Sequence, residues 1–302
     1  MMHRCIRHVF SLLLFSFLTS CVKEIPLIQD QFSEDLVVNG LIQANEPISI
    51  SVIRQIPVSS MGNNPVDSTL TIILSRNDEI IDTMLFIDGR YYSGYRAYPG
   101  NQYSITIKFS ENDSMYAETR VPDNALLPEC KFTTGRIFDE YGESLTECFI
   151  SFKDDPKRND YYLLYTGRFF RDTFDLNNYW SYWHLNDPLL VNEGILDYNP
   201  SYFVFSDELL QGLAYTLNLN LKYGSTVEYC VFQTISSEYY LFIKSLIRHQ
   251  YNQQYVDHSR LDPIELLLKG QPSEVYSNVQ NGKGIFASYS EVIKEFKNMP
   301  TE

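Results

Sequence analysis

A cysteine stands at position 21 behind Leu18-Thr19-Ser20, at the end of an apolar run from Val9 to Leu18. The small residues at 19 and 20 let an extended chain enter a peptidase site, and the Cys21 thiol is the nucleophile that a lipid transferase alkylates. A second group of chemistry-bearing residues is aromatic. Trp180 and Trp183 are the only two tryptophans, and they stand with Tyr182 among Phe169, Phe170, Phe174, Tyr179, Arg168, Arg171, Asp172 and Asp175. Such rings offer apolar faces to sugar CH groups, or anchor a protein partner, while the charged neighbours can bond hydroxyls. Aromatics make up 15% of the chain, so packing inside a β core is the competing and favoured reading. Trp180, Tyr182 and Trp183 are carried forward as a candidate ligand or partner patch.

The other polar residues do not assemble a reaction. Asp139-Glu140 and Asp154-Asp155 pair carboxylates in sequence, but strand neighbours point to opposite faces, and no Asp-x-Asp-x-Asp-Gly ladder for calcium is present. His184, His249 and His258 lack the HExxH spacing of a zinc site. Gly282 and Gly284 flank a lysine without forming a phosphate loop, and there is no GxSxG nucleophile elbow. The sequence therefore names no catalytic, metal or cofactor-binding residue, and an enzyme is not the expected class.

The start of the chain speaks of address. Arg4 and Arg7 precede the apolar run, which is too short for a bilayer-spanning helix. The arrangement resembles a bacterial lipoprotein precursor whose residues 1–20 are removed and whose Cys21 carries acyl chains. At about 0.8 kcal/mol per buried CH₂, two or three chains hold a protein firmly on a membrane. The full chain has 24 basic and 38 acidic residues; maturation removes two of the basic ones, leaving 22 against 38, a net charge of −16. That balance disfavours nucleic acid, whose affinity rests on basic phosphate contacts, and adhesion to anionic lipid. Cys130, Cys148 and Cys230 remain, an odd set with no CxxC pair; buried apolar packing is the favoured reading, with a Cys130 to Cys148 bridge left open.

Residues 21–34 read as a tether, after which hydrophobic alternation begins. Ile48, Ile50 and Val52 alternate with serines, as do Tyr103, Ile105, Ile107 and Phe109 with polar residues. Leu36 to Ile42, Leu70 to Leu74, Ile80 to Phe86, Arg90 to Ser93 and Met115 to Val121 supply further strands, separated by turns at Asn77-Asp78, Asp88-Gly89, Pro99-Gly100 and Asn112-Asp113. Residues 35–124 are thus expected to form an immunoglobulin- or transthyretin-like β-sandwich. Pro122 and Pro128 mark a boundary, and residues 125–302 are expected to form a second β-rich domain with one or two helices. Its strands begin with Phe132 to Ile137, Ser144 to Phe152 and Tyr161 to Arg168, and continue with Thr216 to Leu221 and a centrally placed Thr226 to Ile235. Helical spacing of Tyr239, Phe242, Ile243 and Leu246 behind Ser236-Ser237 predicts a helix over 237–252, and Asp262-Pro263 opens a shorter one.

The order of several short segments carries a family resemblance. Leu36-Val37-Val38-Asn39-Gly40-Leu41-Ile42 follows the Cys21 signal, then come Ile150-Ser151-Phe152-Lys153-Asp154 and Tyr161-Tyr162-Leu163, then Tyr276-Ser277-Asn278 leading into Gly282-Lys283-Gly284-Ile285-Phe286-Ala287-Ser288-Tyr289-Ser290. In this the chain resembles the Bacteroidota outer-membrane lipoproteins grouped as domain of unknown function 4249. The resemblance implies an outer-membrane setting, often near TonB-dependent transporters, and brings no catalytic residue. The expected function is a lipid-anchored, non-enzymatic binding or accessory protein of TonB-dependent uptake, on either the periplasmic or the cell-surface face. The alternatives are a glycan-binding or adhesion lipoprotein and, last, a hydrolase of an envelope polymer. Replacing Cys21→Ala is expected to abolish acyl labelling and leave the precursor uncleaved or the protein released from membranes; equal labelling of variant and wild type by a fatty-acid probe would remove the anchor.

Overall fold

Period-two alternation becomes strand wherever one face can be buried, and it does so along most of this chain. The computed structural model describes residues 36–55, 66–123, 126–139, 141–170, 173–175, 187–194, 202–210, 212–221, 228–253 and 273–298. The elements are β1 (Leu36–Gln43), β2 (Pro47–Arg54), β3 (Thr71–Arg76), β4 (Glu79–Thr83), β5 (Leu85–Ile87), β6 (Arg90–Arg96), β7 (Gln102–Lys108) and β8 (Ser114–Arg120). They continue with β9 (Glu129–Phe138), β10 (Ser144–Lys153), β11 (Tyr161–Phe170), β12 (Thr173–Asp175), the short helix α1 (Pro188–Asn192), β13 (Phe203–Ser206) and β14 (Ala214–Leu221). The chain closes with β15 (Tyr229–Ile235), helix α2 (Ser237–Gln253), β16 (Lys283–Glu295) and β17 (Lys297–Asn298).

The fold is mostly β, built as sandwiches on a common sheet. Nine strands form that sheet in the order β12-β11-β15-β16-β1-β2-β6-β5, with β13 also paired to β11. Two four-stranded sheets, β4-β3-β7-β8 and β14-β10-β9-β17, complete the set. A first core holds Ile48, Ile50 and Val52 of β2 with Ile72 and Leu74 of β3 and Ile105 and Ile107 of β7. Its buried tyrosines keep their hydroxyls bonded: Tyr91 donates to the Asp67 carbonyl at 2.9 Å, and Tyr103 to the Arg96 carbonyl at 3.2 Å. A second core gathers Cys130, Cys148, Ile150, Tyr162, Leu164, Phe205, Leu217, Leu219, Cys230 and Phe232. Phe152 lies in its middle, with ring centroids 5.0 Å from Phe232 and 5.7 Å from Tyr162. A smaller cluster on the opposite face of β11 and β15 packs Leu163, Val204 and Ile235 under Ile243 and Ile247 of α2.

The helix begins where the sequence signals it. Ser236 Oγ accepts the Tyr239 amide at 3.4 Å and the Ser236 carbonyl accepts Tyr240 N–H at 3.0 Å, which satisfies donors of the first turn. The turns follow their residue chemistry too. Asn77-Asp78 and Asp88-Gly89 all adopt positive φ, the condition for a tight two-residue hairpin turn.

Three features differ from the sequence reading. Ile80 to Phe86, expected as one strand, divides at buried Met84, whose amide turns inward to bond the Ile72 carbonyl, so β4 joins one sheet and β5 another. From Lys283 the late run is a strand, β16, although it lacks alternation: Ile285, Phe286, Ala287 and Ser288 are all buried, as a central strand requires. β16 pairs parallel with β1 and antiparallel with β15, so it crosses the boundary drawn at residue 124 and lends Phe286 to the first core. Asp35–Glu302 accordingly clusters as one compact unit. The shorter helix expected from Asp262 lies outside the described residues.

The junction of β16 with β1 leaves no room for a side chain. Gly284 has φ +109°, and a Cβ built there would lie 2.0 Å from the Val38 carbonyl oxygen. Gly284→Ala is expected to cost about 3 kcal/mol or more in urea unfolding, from backbone strain plus collision with a paired strand. Gly89→Ala, with φ +84° and no atom within 4 Å, tests strain alone and is expected to cost about 1 kcal/mol. Equal losses at the two glycines would show that the β1–β16 approach is not the tight point.

Candidate functional site

The described residues offer two kinds of polar assembly, one buried and one open to solvent. The buried kind belongs to the carboxylates. Asp154 accepts Tyr162 OH at 2.6 Å and Gly212 N–H at 2.8 Å. Asp187 caps α1 by accepting Leu189 N–H at 3.0 Å and takes Tyr215 OH at 2.7 Å. Glu193 accepts Ser206 N–H, Tyr240 OH at 2.6 Å and Lys244 Nζ at 2.8 Å; burial pushes its carboxyl up, but these donors and the ammonium outweigh that and hold it below the usual range. These acids tie loops to strands, and each accepts at least two hydrogen bonds. Asp139, from the other acidic pair, accepts the amides of Tyr141 and Glu143 in a turn, while Glu140 lies outside the described residues.

The remaining sequence candidates separate in the same way. Cys21 and the aromatic patch Trp180, Tyr182 and Trp183 lie outside the described residues, as do His184 and His258. His249 Nδ1 sits 2.7 Å from the Ser273 carbonyl, tying α2 to the segment before β16. Cys130, Cys148 and Cys230 are free and buried, and burial pushes the Cys148 thiol up to about 12, so it stays protonated and unreactive. Among the described residues no group of three His, Cys, Asp or Glu is placed to hold a metal ion.

The open assembly lies along the seam where the two cores meet. Strand β8 ends there in Arg120 and runs into Pro122 and Asp123; α2 starts there; residues 276–280 pass along the edge of β8. One hydroxyl-rich layer joins these parts. Ser288 Oγ lies 3.0 Å from Thr119 Oγ1 and donates to the Arg120 carbonyl at 2.8 Å, and Ser290 Oγ donates to the Pro122 carbonyl at 3.2 Å. Asn278 acts as a surrogate piece of backbone. Its Nδ2 donates to the carbonyls of Phe286 at 2.7 Å and Glu118 at 3.0 Å, and its Oδ1 accepts Phe286 N–H at 2.9 Å. An isolated bridge between Tyr116 and Gln280 completes the edge.

Two cavities adjoin on this seam, and Glu238 in the first turn of α2 lines both. The first, of about 340 Å³, is walled by Arg120, Asp123, Arg158, Asp160, Tyr161 and the Ser236–Glu238 turn. Arg158 is already neutralised, with Asp123 at 2.8 Å, Asp160 at 3.1 Å and Asp155 at 3.3 Å. Burial pushes the Asp160 carboxyl up to about 6; Arg158 opposes this, but the charges of Asp207, Asp154 and Asp155 reinforce it. The second cavity, of about 360 Å³, is lined by Tyr116, Glu118, Glu238, Tyr276, Ser277, Asn278, Val279 and Gln280. Tyr116 OH donates to Glu118 Oε2 at 2.7 Å, a bond that raises the tyrosine's pKa. Burial raises that of Tyr276, and the nearby Glu238 charge adds to the rise.

Fold and seam together define a β-sandwich protein with a polar, aromatic-edged groove between its two cores. The family model for a domain of unknown function (DUF4249) matches residues 22–295, and the chain belongs to that family. No curated protein matches it. Several residues quoted for the resemblance now have physical roles: Gly284 admits β1, Asn278 closes the edge of β8, and Asp154 receives Tyr162. The groove residues Tyr116, Glu118, Arg120 and Glu238 were not singled out from sequence. The available signal was the polar face of β8, where positions 116, 118 and 120 share one side of the strand.

Asp160 provides a titration test of the seam. Its folded pKa lies above the ordinary 3.8, so the native state binds a proton more readily than the unfolded chain, and its contribution to stability falls as pH rises from 3.8 through about 6. Asp160→Asn removes that titration. The stability of wild type relative to the variant is expected to decline by up to about 3 kcal/mol between pH 4 and pH 7. Parallel stability–pH curves from chemical unfolding would refute the burial assigned to this carboxyl.

Proposed function

We propose that the mature chain is a lipid-anchored cell-envelope protein that binds a partner or ligand as an accessory of TonB-dependent uptake, without carrying out a reaction of its own. The observation that carries the binding role is the seam groove: two adjoining cavities sharing Glu238, with walls contributed by β8, by the first turn of α2 and by residues 276–280. Such a groove can hold a ligand without reorganising, because its walls are fixed by backbone pairing and by the Asn278 bonds. The anchoring part rests on the Cys21 signal, and the transporter on the family resemblance.

An anchor also changes the arithmetic of association. Confinement to a membrane plane raises the effective concentration near any membrane partner, so a weak direct interface suffices. A glycan-binding or adhesion role is the second reading, favoured by the Tyr116 and Tyr276 rings in one cavity.

Mild-detergent extraction of cells producing the full chain is expected to recover an outer-membrane transporter with it, and Cys21→Ala is expected to lower that recovery several-fold. In-cell crosslinking with mass spectrometry checks the contact directly. Recovery of unrelated abundant envelope proteins alone would move adhesion ahead.

A further inference from the structure

We infer that the cavity between β8 and residues 276–280 binds an organic cation, the ammonium or guanidinium group of a basic peptide side chain, held between Glu118 and Glu238 beside the rings of Tyr116 and Tyr276. This rests on the binding role proposed for the seam and names the ligand class. Among the described residues the cavity wall contains two carboxylates, two phenol rings and no lysine, arginine or histidine. The donors already bonded to those carboxylates are neutral: Gln102 Nε2 at 3.0 Å and Tyr116 OH on Glu118, Thr119 Oγ1 at 3.3 Å and Ser237 Oγ at 3.0 Å on Glu238. Among the described residues neither carboxylate is held in an ion pair, and both line one concavity. The neighbouring cavity differs in this respect, since there Arg158 is met by three aspartates.

A cation entering the cavity is attracted by both carboxylates, and an aromatic ring adds to that attraction where the cation meets its face. The same strand face continues past the cavity. Arg120 follows Glu118 by two residues on β8, about 7 Å along the strand, and its exposed guanidinium lines the adjoining space. A cation site with an arginine at this distance suits a peptide, whose side-chain charge and backbone carbonyls or terminal carboxylate are separated by a similar span, better than it suits an isolated amine. The net charge of −16 expected for the mature chain attracts a basic ligand from a distance as well.

The test titrates the N-terminally acetylated tripeptide Gly-Lys-Gly into the full chain in mild detergent by calorimetry, against the same peptide with its lysine Nε-acetylated as well and against a neutral disaccharide. Lysine acetylation keeps the stem and deletes the charge. The peptide with free lysine is expected to bind at least tenfold more tightly than its lysine-acetylated form, to weaken with added salt, and to lose at least tenfold in affinity in Glu118→Gln and in Glu238→Gln. Gln preserves an acceptor for the existing donors, and an unchanged melting temperature separates loss of binding from loss of fold. Equal affinity for the two tripeptides, or heat from the disaccharide alone, would overturn the inference. Its failure is distinguishable from failure of the envelope reading: charge-dependent tripeptide binding supports the cation site whether or not a transporter is recovered, and transporter recovery without such binding overturns the cation site alone.

Discussion

The structure depends on a close parallel approach between β1 and β16, chain segments separated by almost the whole sequence. Val38 pairs with Gly284 and Gly40 with Phe286, and both glycines stand where a methyl group would strike a neighbour. At Gly40 the obstacles are Ile50 and Phe286, and at Gly284 the backbone of Val38 itself. With that contact made, β16 is flanked on its other side by β15, and one continuous sheet backs both cores. Neither sandwich is complete without it. Phe286 belongs to the first core, while Phe296, just after β16, belongs to the second.

This arrangement also places the seam. As β16 leaves the first core its inward residues change from Phe286 to Ser288 and Ser290, both buried yet bonded to the carbonyls at the end of β8. A buried hydroxyl is tolerable only when its donor and acceptor needs are met. The carbonyls of Arg120 and Pro122 meet them because β8 is the edge strand of its sheet, so its outward carbonyl at Arg120 has no neighbouring strand to bond, and Pro122 follows the strand's end. The polar seam is therefore a consequence of joining two apolar cores end to end along one sheet. The cavities open beside it because α2 and residues 276–280 bridge the junction without filling it.

Much of this was legible in the sequence, and the rest was hidden for definable reasons. Strands with one solvated face announced themselves by alternation, as in Tyr103 to Ile107, though Phe109, read as continuing it, lies exposed beyond β7; the turns at Asn77-Asp78 and Asp88-Gly89 did so by residues that tolerate positive φ. The helix declared both its face and its serine cap. β16 did not, since a strand covered on both faces has no alternation to show, and its parallel partner lies far away along the chain. The division at residue 124 was read from prolines that do end a local strand pattern; local signals carry no information about a late strand returning to complete an early core. The groove was hidden for a related reason. Tyr116, Glu118 and Arg120 look like the solvated side of an ordinary strand until α2 and residues 276–280 wall them in.

Charge at the seam separates what the fold needs from what it leaves open. Arg158 is held by Asp123, Asp155 and Asp160, and Lys244 by Glu193, so each of these cations is spent on joining loops to strands. Such pairs, partly shielded from water, fix geometry more than they add stability. Among the described residues Glu118 and Glu238 receive only neutral donors, and each sits where its charge costs little: Glu118 on an exposed strand face, Glu238 in the first turn of a helix, where the dipole favours an anion. The fold can therefore keep two unpaired carboxylates facing one cavity without a stability penalty that would demand their removal. A site of that kind is available to a ligand, because among the described residues no cation has to be displaced from it for one to enter.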